Sequence, residues 1–289
     1  MSIETKAPES AEHGRRKKRR SPNRPTPSIA VAFLRMDAIE EFSYPMSLIL
    51  SELGTVLPVL VSFFIGDLVG ESAEVGDDYF TFAVLGLAVS AVLQGALSGF
   101  GGNLQRALNR GSLETLLVEP VPWTFLPFAM NIWHTMMGVF EGAIILGMGA
   151  LLGAEYLASG WWEFLALLVL GIFACTAIGI VSAAILIISK RSKPFLTLYG
   201  MAASLLAGAV FSVDQLPSWL KTLSWAIPHT YVINASRDVL MENPGTFVVP
   251  FNLAVIALVV FNVVVLSGGL WLFSRSLEYG KKMGMLSGY

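Results

Sequence analysis

Long apolar stretches separated by short polar connections dominate the chain. Each stretch is near or above the length of about 20 residues that an α-helix needs to cross a bilayer. Because lipid offers backbone groups no hydrogen-bond partner, a spanning segment satisfies them internally, as a helix does. The pattern therefore predicts an all-α integral membrane protein. We predict six transmembrane helices, at about residues 46–69, 80–101, 125–153, 162–189, 195–212 and 250–274.

The composition agrees with this pattern. Of the 289 residues, 54% are hydrophobic and only 14% are charged, whereas soluble domains carry roughly 25% charged residues. The mean hydropathy is +0.65. Since the apolar runs are spread evenly, we predict one membrane domain over residues 29–280. A disordered basic cytoplasmic tail precedes it at 1–28, and a short cytoplasmic tail follows it at 281–289.

The segment before the first predicted span has helical periodicity of its own. Apolar side chains recur at Ile29, Phe33, Met36 and Ile39, and Asp37 lies largely away from them. This spacing predicts an N-terminal helix lying on the membrane surface. The basic run in the tail before it is a solvated anchor in one interpretation and a patch for anionic lipid or a partner in the other.

Basic residues fix the predicted orientation, because cytoplasmic loops of membrane proteins carry an excess of Lys and Arg. We predict that the protein lies in the plasma or inner membrane with both termini in the cytoplasm. In this orientation only Lys221 and Arg237 fall outside. All the other basic residues then stay inside: the tail cluster, Arg35, Arg106, Arg110, Lys190, Arg191, Lys193, Arg275, Lys281 and Lys282.

Residues 213–249 are too polar to form a further span. They contain Asp214, Lys221, Arg237 and Asp238, and a charge at the bilayer centre costs roughly 2.5–3.5 kcal/mol on insertion scales. We predict two short extracellular re-entrant helices here, split near Pro228.

The printed sequence contains no phosphate-binding loop with its lysine, no paired-histidine zinc motif and no nucleophile elbow. We therefore predict a chain that is not itself an enzyme and that binds no metal or cofactor. Intramembrane carboxylates are costly and suggest function, so Glu52 and Glu141 are candidates for proton sites, cargo contacts or helix-packing partners. A stripe of small residues, Gly200, Ser204 and Gly208, is a candidate pathway or gate, a dimer seam, or a packing face within one chain.

The connection between the second and third predicted spans is amphipathic and predicted to be cytoplasmic. Leucines alternate there with Arg106, Arg110 and Glu114 over residues 103–120. A short helix of this kind suits a groove on a partner protein, while a plain solvated connection is the alternative.

Two phrases resemble the permease subunit of type-2 ATP-binding-cassette exporters. The first is RGSLETLLVEPVP at 110–122, which is similar to the family's cytoplasmic coupling helix. The second comprises LPSWL at 216–220 and IPHTY at 227–231, followed by Arg237, and is similar to the family's outer re-entrant helices. Together with the six predicted spans, they cover residues 29–280.

The resemblance implies an ATP-driven exporter in which this chain supplies the substrate pathway. It would pair with a second copy and with two copies of a separate ATPase, which would hold the ATP and Mg²⁺. It implies no nucleic-acid partner. The cargo would be amphipathic: a lipid, a drug or a lipid-linked glycan. The alternative is a proton-coupled secondary transporter that uses Glu52 and Glu141. The residues implied in ATPase coupling are Arg106, Arg110, Leu113, Glu114 and Leu117, and those in the re-entrant element are Pro217, Trp219, Pro228, His229, Tyr231 and Arg237.

Overall fold

A computed structural model describes residues 26–69, 79–109, 124–189, 193–245 and 247–282. Within these ranges the regular structure is helical, which confirms the predicted all-α class. The helices are α1 (Thr26–Phe42), α2 (Pro45–Val69), α3 (Tyr79–Asn109), α4 (Leu126–Leu151), α5 (Trp161–Ser189), α6 (Lys193–Leu206), α7 (Ser218–Ser224), α8 (Pro228–Leu240) and α9 (Phe251–Lys282).

Five of these helices are long and apolar enough to cross a membrane: α2, α3, α4, α5 and α9. They correspond to five of the six predicted spans. The remaining prediction, a span over 195–212, is not confirmed, because α6 has 14 residues and ends at Leu206. At a rise of about 1.5 Å per residue this is roughly 21 Å, less than the hydrocarbon thickness of about 30 Å.

Gly208 explains why α6 is shorter than its apolar run. Its φ of 73° is in the left-handed region that commonly ends helices. The N–H groups of Gly208 and Ala209 then bond back to the carbonyl oxygens of Leu205 and Ser204. Hydrophobicity continues through Phe211, whereas the helix does not. The sequence had suggested that Gly208 forms a stripe with Gly200 and Ser204 on one helix. In the structure Gly208 lies beyond the end of α6 and is not part of that stripe.

Helices α3 and α5 form the centre of the bundle, and α2, α4 and α9 lie around them with mostly exposed apolar surfaces. Small residues allow α3 and α4 to approach closely. A Cβ added at Gly95 would lie 2.6 Å from the carbonyl oxygen of His134, and one added at Gly138 would lie 3.0 Å from that of Ala91. These glycines therefore serve packing within one chain.

A buried amide ties three helices together at the same level. Asn131 of α4 donates to the carbonyl oxygen of Ala96 in α3 and to Oγ1 of Thr176 in α5, both at 2.9 Å. A Cβ at Gly99 would lie 2.0 Å from Oδ1 of Asn131. Side-chain hydrogen bonds between helices are worth a modest amount in lipid, about 0.6 kcal/mol on average, so this one mainly fixes the register of the three helices.

The structure bears on two predicted polar elements, the coupling helix and the pair of short helices before the last span. Residues 103–109 continue α3 to Asn109 and do not begin a separate coupling helix; residues 110–123 lie outside the described part of the chain. The predicted pair of short helices before the last span is present as α7 and α8, and Pro228 is the first residue of α8. The depth of α7 and α8 in the membrane stays a prediction.

Candidate functional site

A groove of about 910 Å³ runs between α3 and α6 on the surface of the bundle. Its apolar wall includes Leu87, Met201 and Leu205, and the loop after α6 closes one end with Ala209, Val210 and Phe211. Its polar side chains come from both helices: Ser90, Gln94, Ser98, Thr197 and Ser204. In a lipid-facing bundle such a mixed surface points to an amphipathic ligand or a covering partner, since unsatisfied polar groups in hydrocarbon are costly.

The sequence contained a signal for this groove that the prediction missed. Ser90, Gln94 and Ser98 recur every four residues within an otherwise apolar span, which places them on one face of α3. Gln94 is exposed, and Ser98 donates from Oγ to the carbonyl oxygen of Gln94 at 2.9 Å. Gln94 and Ser98 therefore belong to the groove, whereas Oγ of Ser90 is buried without a hydrogen-bond partner among the described residues.

Two of the five predicted pathway residues line this groove. Ser204 is exposed on α6, and Gly200 lies one turn earlier, where an added Cβ would meet the Gln94 side chain at 2.9 Å. Gly208 lies beyond α6, in the turn that leads into the closing loop. The structure thus brings Gly200 and Ser204 together with polar residues of α3.

Glu52 and Glu141 lie elsewhere. They are on α2 and α4, which pack against each other, and the two carboxylates are near enough to repel electrostatically. Both are partly buried, and neither lines the groove. Within the described residues, Oε2 of Glu52 has no hydrogen-bond partner. The structure therefore separates the carboxylates from Gly200 and Ser204.

Arg237 of α8 holds the loop that closes the groove. Its side chain is 1% exposed. It donates to the carbonyl oxygens of Gly208 and Ala209 at 2.8 Å each, and to that of Phe82 from Nε at 3.2 Å and Nη2 at 3.0 Å. The guanidinium also lies 3.3 Å from the Phe82 ring centroid, an arrangement that attracts a cation.

These contacts let a charged side chain remain in the interior. Burial lowers the pKa of Arg237, and carbonyl dipoles oppose that effect by replacing water around the cation. No described carboxylate hydrogen-bonds to it. A planar fork of five N–H donors can bond several carbonyl groups at once. Arg237 consequently joins α8, the first turn of α3 and the loop after α6 into one unit.

The other residues of the predicted re-entrant element divide into buried and exposed groups. His229 is 2% exposed; its ring lies 5.8 Å from that of Tyr199, and its nitrogens lie 3.8 and 3.9 Å from Sγ of Cys175. Burial lowers the pKa of His229 to about 4, so it is a neutral packing residue at neutral pH. Tyr231 donates to the carbonyl oxygen of Trp225 at 2.8 Å.

The exposed group lies on α7. Pro217 precedes the helix, and Trp219 is 68% exposed. An exposed tryptophan on a short amphipathic helix is typical of a membrane interface. Together, α7 and α8 cap the end of the bundle where the groove closes.

Of the residues implied in ATPase coupling, the structure describes Arg106 alone. It lies in the last turn of α3, where its guanidinium donates to Oδ1 of Asn103 and contacts Nε2 of His134 at 3.3 Å. Its side chain is thus engaged within the chain. Arg110, Leu113, Glu114 and Leu117 lie outside the described residues.

Comparison with known proteins defines the class. The sequence model of the family described as ABC-2 type transporter matches residues 47–241, about two thirds of the chain. This span runs from α2 through α8 and contains both the groove and the Arg237 cluster. The chain belongs to the ABC-2 type transporter family.

The chain is also similar to a protein named probable multidrug ABC transporter permease YbhR from Escherichia coli strain K12. The two are 20% identical over 172 residues, which are 60% of this chain and 47% of that protein. The protein of the same name from Escherichia coli O157:H7 matches to the same extent. The chain spans about half the length of the curated relatives it matches. It is a multi-pass membrane permease subunit of an ABC-2 type transporter.

Proposed function

We propose that this chain is the pathway-forming subunit of an ATP-driven exporter for amphipathic cargo. The observation that carries the proposal is the groove between α3 and α6. It places Gln94, Thr197 and Ser204 on an open face of a membrane bundle. Family membership supports an ABC transporter, and similarity to a probable multidrug permease is in keeping with an apolar cargo that carries polar groups.

A second copy of the chain is the partner that best completes this groove. Met201 and Leu205 in its wall are 67% and 51% exposed, and Leu198 beside it is 67% exposed. Around a two-fold axis the same surface meets itself, so two grooves would face each other and form one central cavity. Each groove alone is of the size that holds a drug-sized ligand, roughly 300–1,000 Å³.

The driving force would come from two copies of a separate ATPase that hold ATP and Mg²⁺. In this proposal Arg110, Leu113, Glu114 and Leu117 dock on the ATPase from the cytoplasmic side, and both termini are cytoplasmic. ATP binding would favour one arrangement of the ATPase pair over the other, and the docked loops would shift the permease with it. The loop held by Arg237 would close the opposite, external end of the pathway.

The alternative is proton-coupled transport through Glu52 and Glu141, and these two carboxylates lie apart from the groove. The two carboxylates lie between α2 and α4, so protons bound there would have to act on the groove through α3. The groove therefore favours the ATP-driven exporter as the proposal.

Filling the groove tests the proposal. We expect Ser204→Trp, co-expressed with the ATPase, to reduce ATP-dependent export of a lipophilic dye from cells by at least about tenfold, since an indole occupies much of a groove of this size. The matched control is Gly147→Trp, because Gly147 is exposed on α4 and no atom of a neighbouring element lies within 4 Å of a Cβ added there. Normal export by Ser204→Trp at wild-type abundance would overturn the proposed pathway.

The pairing is tested with cysteines in a variant that lacks Cys175, the single native cysteine. We expect Leu205→Cys to form an oxidative cross-link between two copies. Val263→Cys, which is 67% exposed on α9, should not. Cross-linking at α9 and not at α6 would show that the grooves do not face each other.

A further inference from the structure

A cluster of polar side chains joins α1 to the ends of α3 and α4. Asp37 of α1 accepts a hydrogen bond from Nδ2 of Asn103 at 3.1 Å, and the same nitrogen donates to the carbonyl oxygen of Met130 at 2.5 Å. Oδ1 of Asn103 accepts from Arg106, which also contacts His134. The Asn103 amide thus lies between a carboxylate and a guanidinium.

This cluster is enclosed by protein. Asp37 is 4% exposed and Asn103 is 5% exposed, although sequence spacing had turned Asp37 away from the apolar face of a surface helix. Two aromatic contacts flank it on α1. Phe33 packs against the core around Phe100 and Leu104, and the Phe42 ring lies 5.9 Å from that of Trp133.

Burying a carboxylate in a helix at the membrane surface is costly unless it has partners. Burial raises the pKa of Asp37, while the hydrogen bond from Asn103 and the positive charge of Arg106 act in the opposite direction. Apolar contact alone would hold α1 on the bundle without this cost. The carboxylate therefore adds specificity, since a buried polar network is stable only when its members are aligned.

The cluster lies at the end of α3, where a specific alignment of α1 with α3 can affect how the two helices move. Asn103 and Arg106 lie in the last two turns of α3, directly before the sequence that resembles the coupling helix begins at Arg110. Any displacement of the end of α3 must either carry Asp37 with it or break the bonds of Asn103. Interactions of this kind have two discrete states, made or broken, and so transmit motion between elements.

We propose that Asp37 is a positioning residue that clamps α1 to the end of α3, so that the two helices move as one unit during transport. The proposal deepens the proposed function, on which its transport consequence rests; the clamp itself is a property of this chain.

The clamp is tested by a spin-label distance in the permease assembled with its ATPase. Labels at Arg35→Cys on α1 and Asn109→Cys at the end of α3 are both on exposed positions, in a variant lacking Cys175. We expect one narrow distance distribution that is unchanged between nucleotide-free and ATP-bound states. Asp37→Asn should broaden it, and Asp67→Asn, the same change at an exposed site on α2, should not.

Export per ATP hydrolysed supplies the second measurement. Asp37→Asn leaves the charge of Arg106 without its carboxylate, and we expect this ratio to fall by about fivefold or more. The double variant Asp37→Asn with Arg106→Gln removes both charges and should recover the narrow label-to-label distance distribution of wild type. Recovery of this kind is not expected if Asp37 merely fills space.

Three results would overturn the clamp. One is a wild-type distance that changes with nucleotide, another is an unaltered distribution in Asp37→Asn, and the third is wild-type export per ATP in Asp37→Asn. Absence of ATP-driven export by the wild-type complex is a different outcome. It would refute the proposed function, while the distance distributions of wild type and Asp37→Asn in the purified permease would still support or refute the clamp.

Discussion

The substitution Gly86→Ala tests whether Arg237 holds the closing loop against α3. Gly86 lies in the second turn of α3, beneath that loop. An added Cβ would be 1.8 Å from the carbonyl oxygen of Ala209 and 2.5 Å from Nη2 of Arg237. Ordinary van der Waals contacts of a Cβ start at 3.4 Å, so one methyl group would have to push the loop and the guanidinium off α3.

The magnitude follows from the bonds that this displacement breaks. The Arg237 bonds to the Phe82 carbonyl oxygen of α3 are 3.0 and 3.2 Å long, and a shift of about 1.5 Å takes both beyond hydrogen-bond range. A buried polar group left without its partner costs about 1–3 kcal/mol. Alanine offsets about 1 kcal/mol through its better helix propensity. Two such losses less this offset give an expected net loss of about 1–5 kcal/mol in the free energy of unfolding.

The assay is thermal unfolding of the purified permease in detergent, followed by size-exclusion chromatography after heating. Gly147→Ala is the matched control, because Gly147 is also within a membrane helix and has nothing within 4 Å of an added Cβ. We expect the melting temperature of Gly86→Ala to fall by about 2–20 °C and that of Gly147→Ala to stay or rise. Equal melting temperatures for the two variants would refute the packing of Arg237 and Ala209 against α3.

Three further outcomes concern coupling, orientation and pH. Glu114→Lys should reduce capture of the ATPase by about tenfold or more, as expected when one partner of a desolvated charge pair is reversed, and Glu119→Lys should have a smaller effect; equal capture in a pull-down would remove the coupling role. In intact cells that carry the permease without Cys175, an impermeant thiol reagent should label Ser218→Cys but not Asn109→Cys. Labelling of Asn109→Cys would show that the predicted orientation is the wrong way round. The pKa of His229 is about 4 in the folded chain and ordinarily 6.5, so the unfolded chain binds the proton more readily. The free energy of unfolding should therefore be highest above pH 6.5 and fall by up to about 3 kcal/mol as the pH drops towards 4. His229→Gln should flatten this dependence of the melting temperature, and an unchanged slope would contradict it.

Local features predicted much of the fold. Apolar length identified the five membrane-length helices, because span length is set by the bilayer and not by neighbouring helices. Pro228 marked the start of α8, since a first-turn proline costs no helical hydrogen bond. The coupling and re-entrant phrases led to the family that the comparison then showed.

The same reasoning failed where two elements meet. The 195–212 span was too long because hydrophobicity does not register the left-handed turn at Gly208. Asp37 looked like a solvent-facing residue because its partners, Asn103 and Arg106, are more than 60 positions away. The predicted pathway site was incomplete, because the sequence pointed to Gly200 and Ser204 on α6 but not to Gln94 on α3, which lines the same groove.

The sequence by itself determined that this chain spans a membrane, which segments are helical and to which family it belongs. These properties depend on hydrophobic length, local spacing and short phrases along the chain. Tertiary structure alone decided that Arg237 bonds to Phe82 and Gly208, that Glu52 lies apart from the groove, and that α3 and α6 present their polar residues to one space. The physical reason is that a buried charge or an open groove is defined by the groups around it, and packing brings those groups from distant parts of the chain.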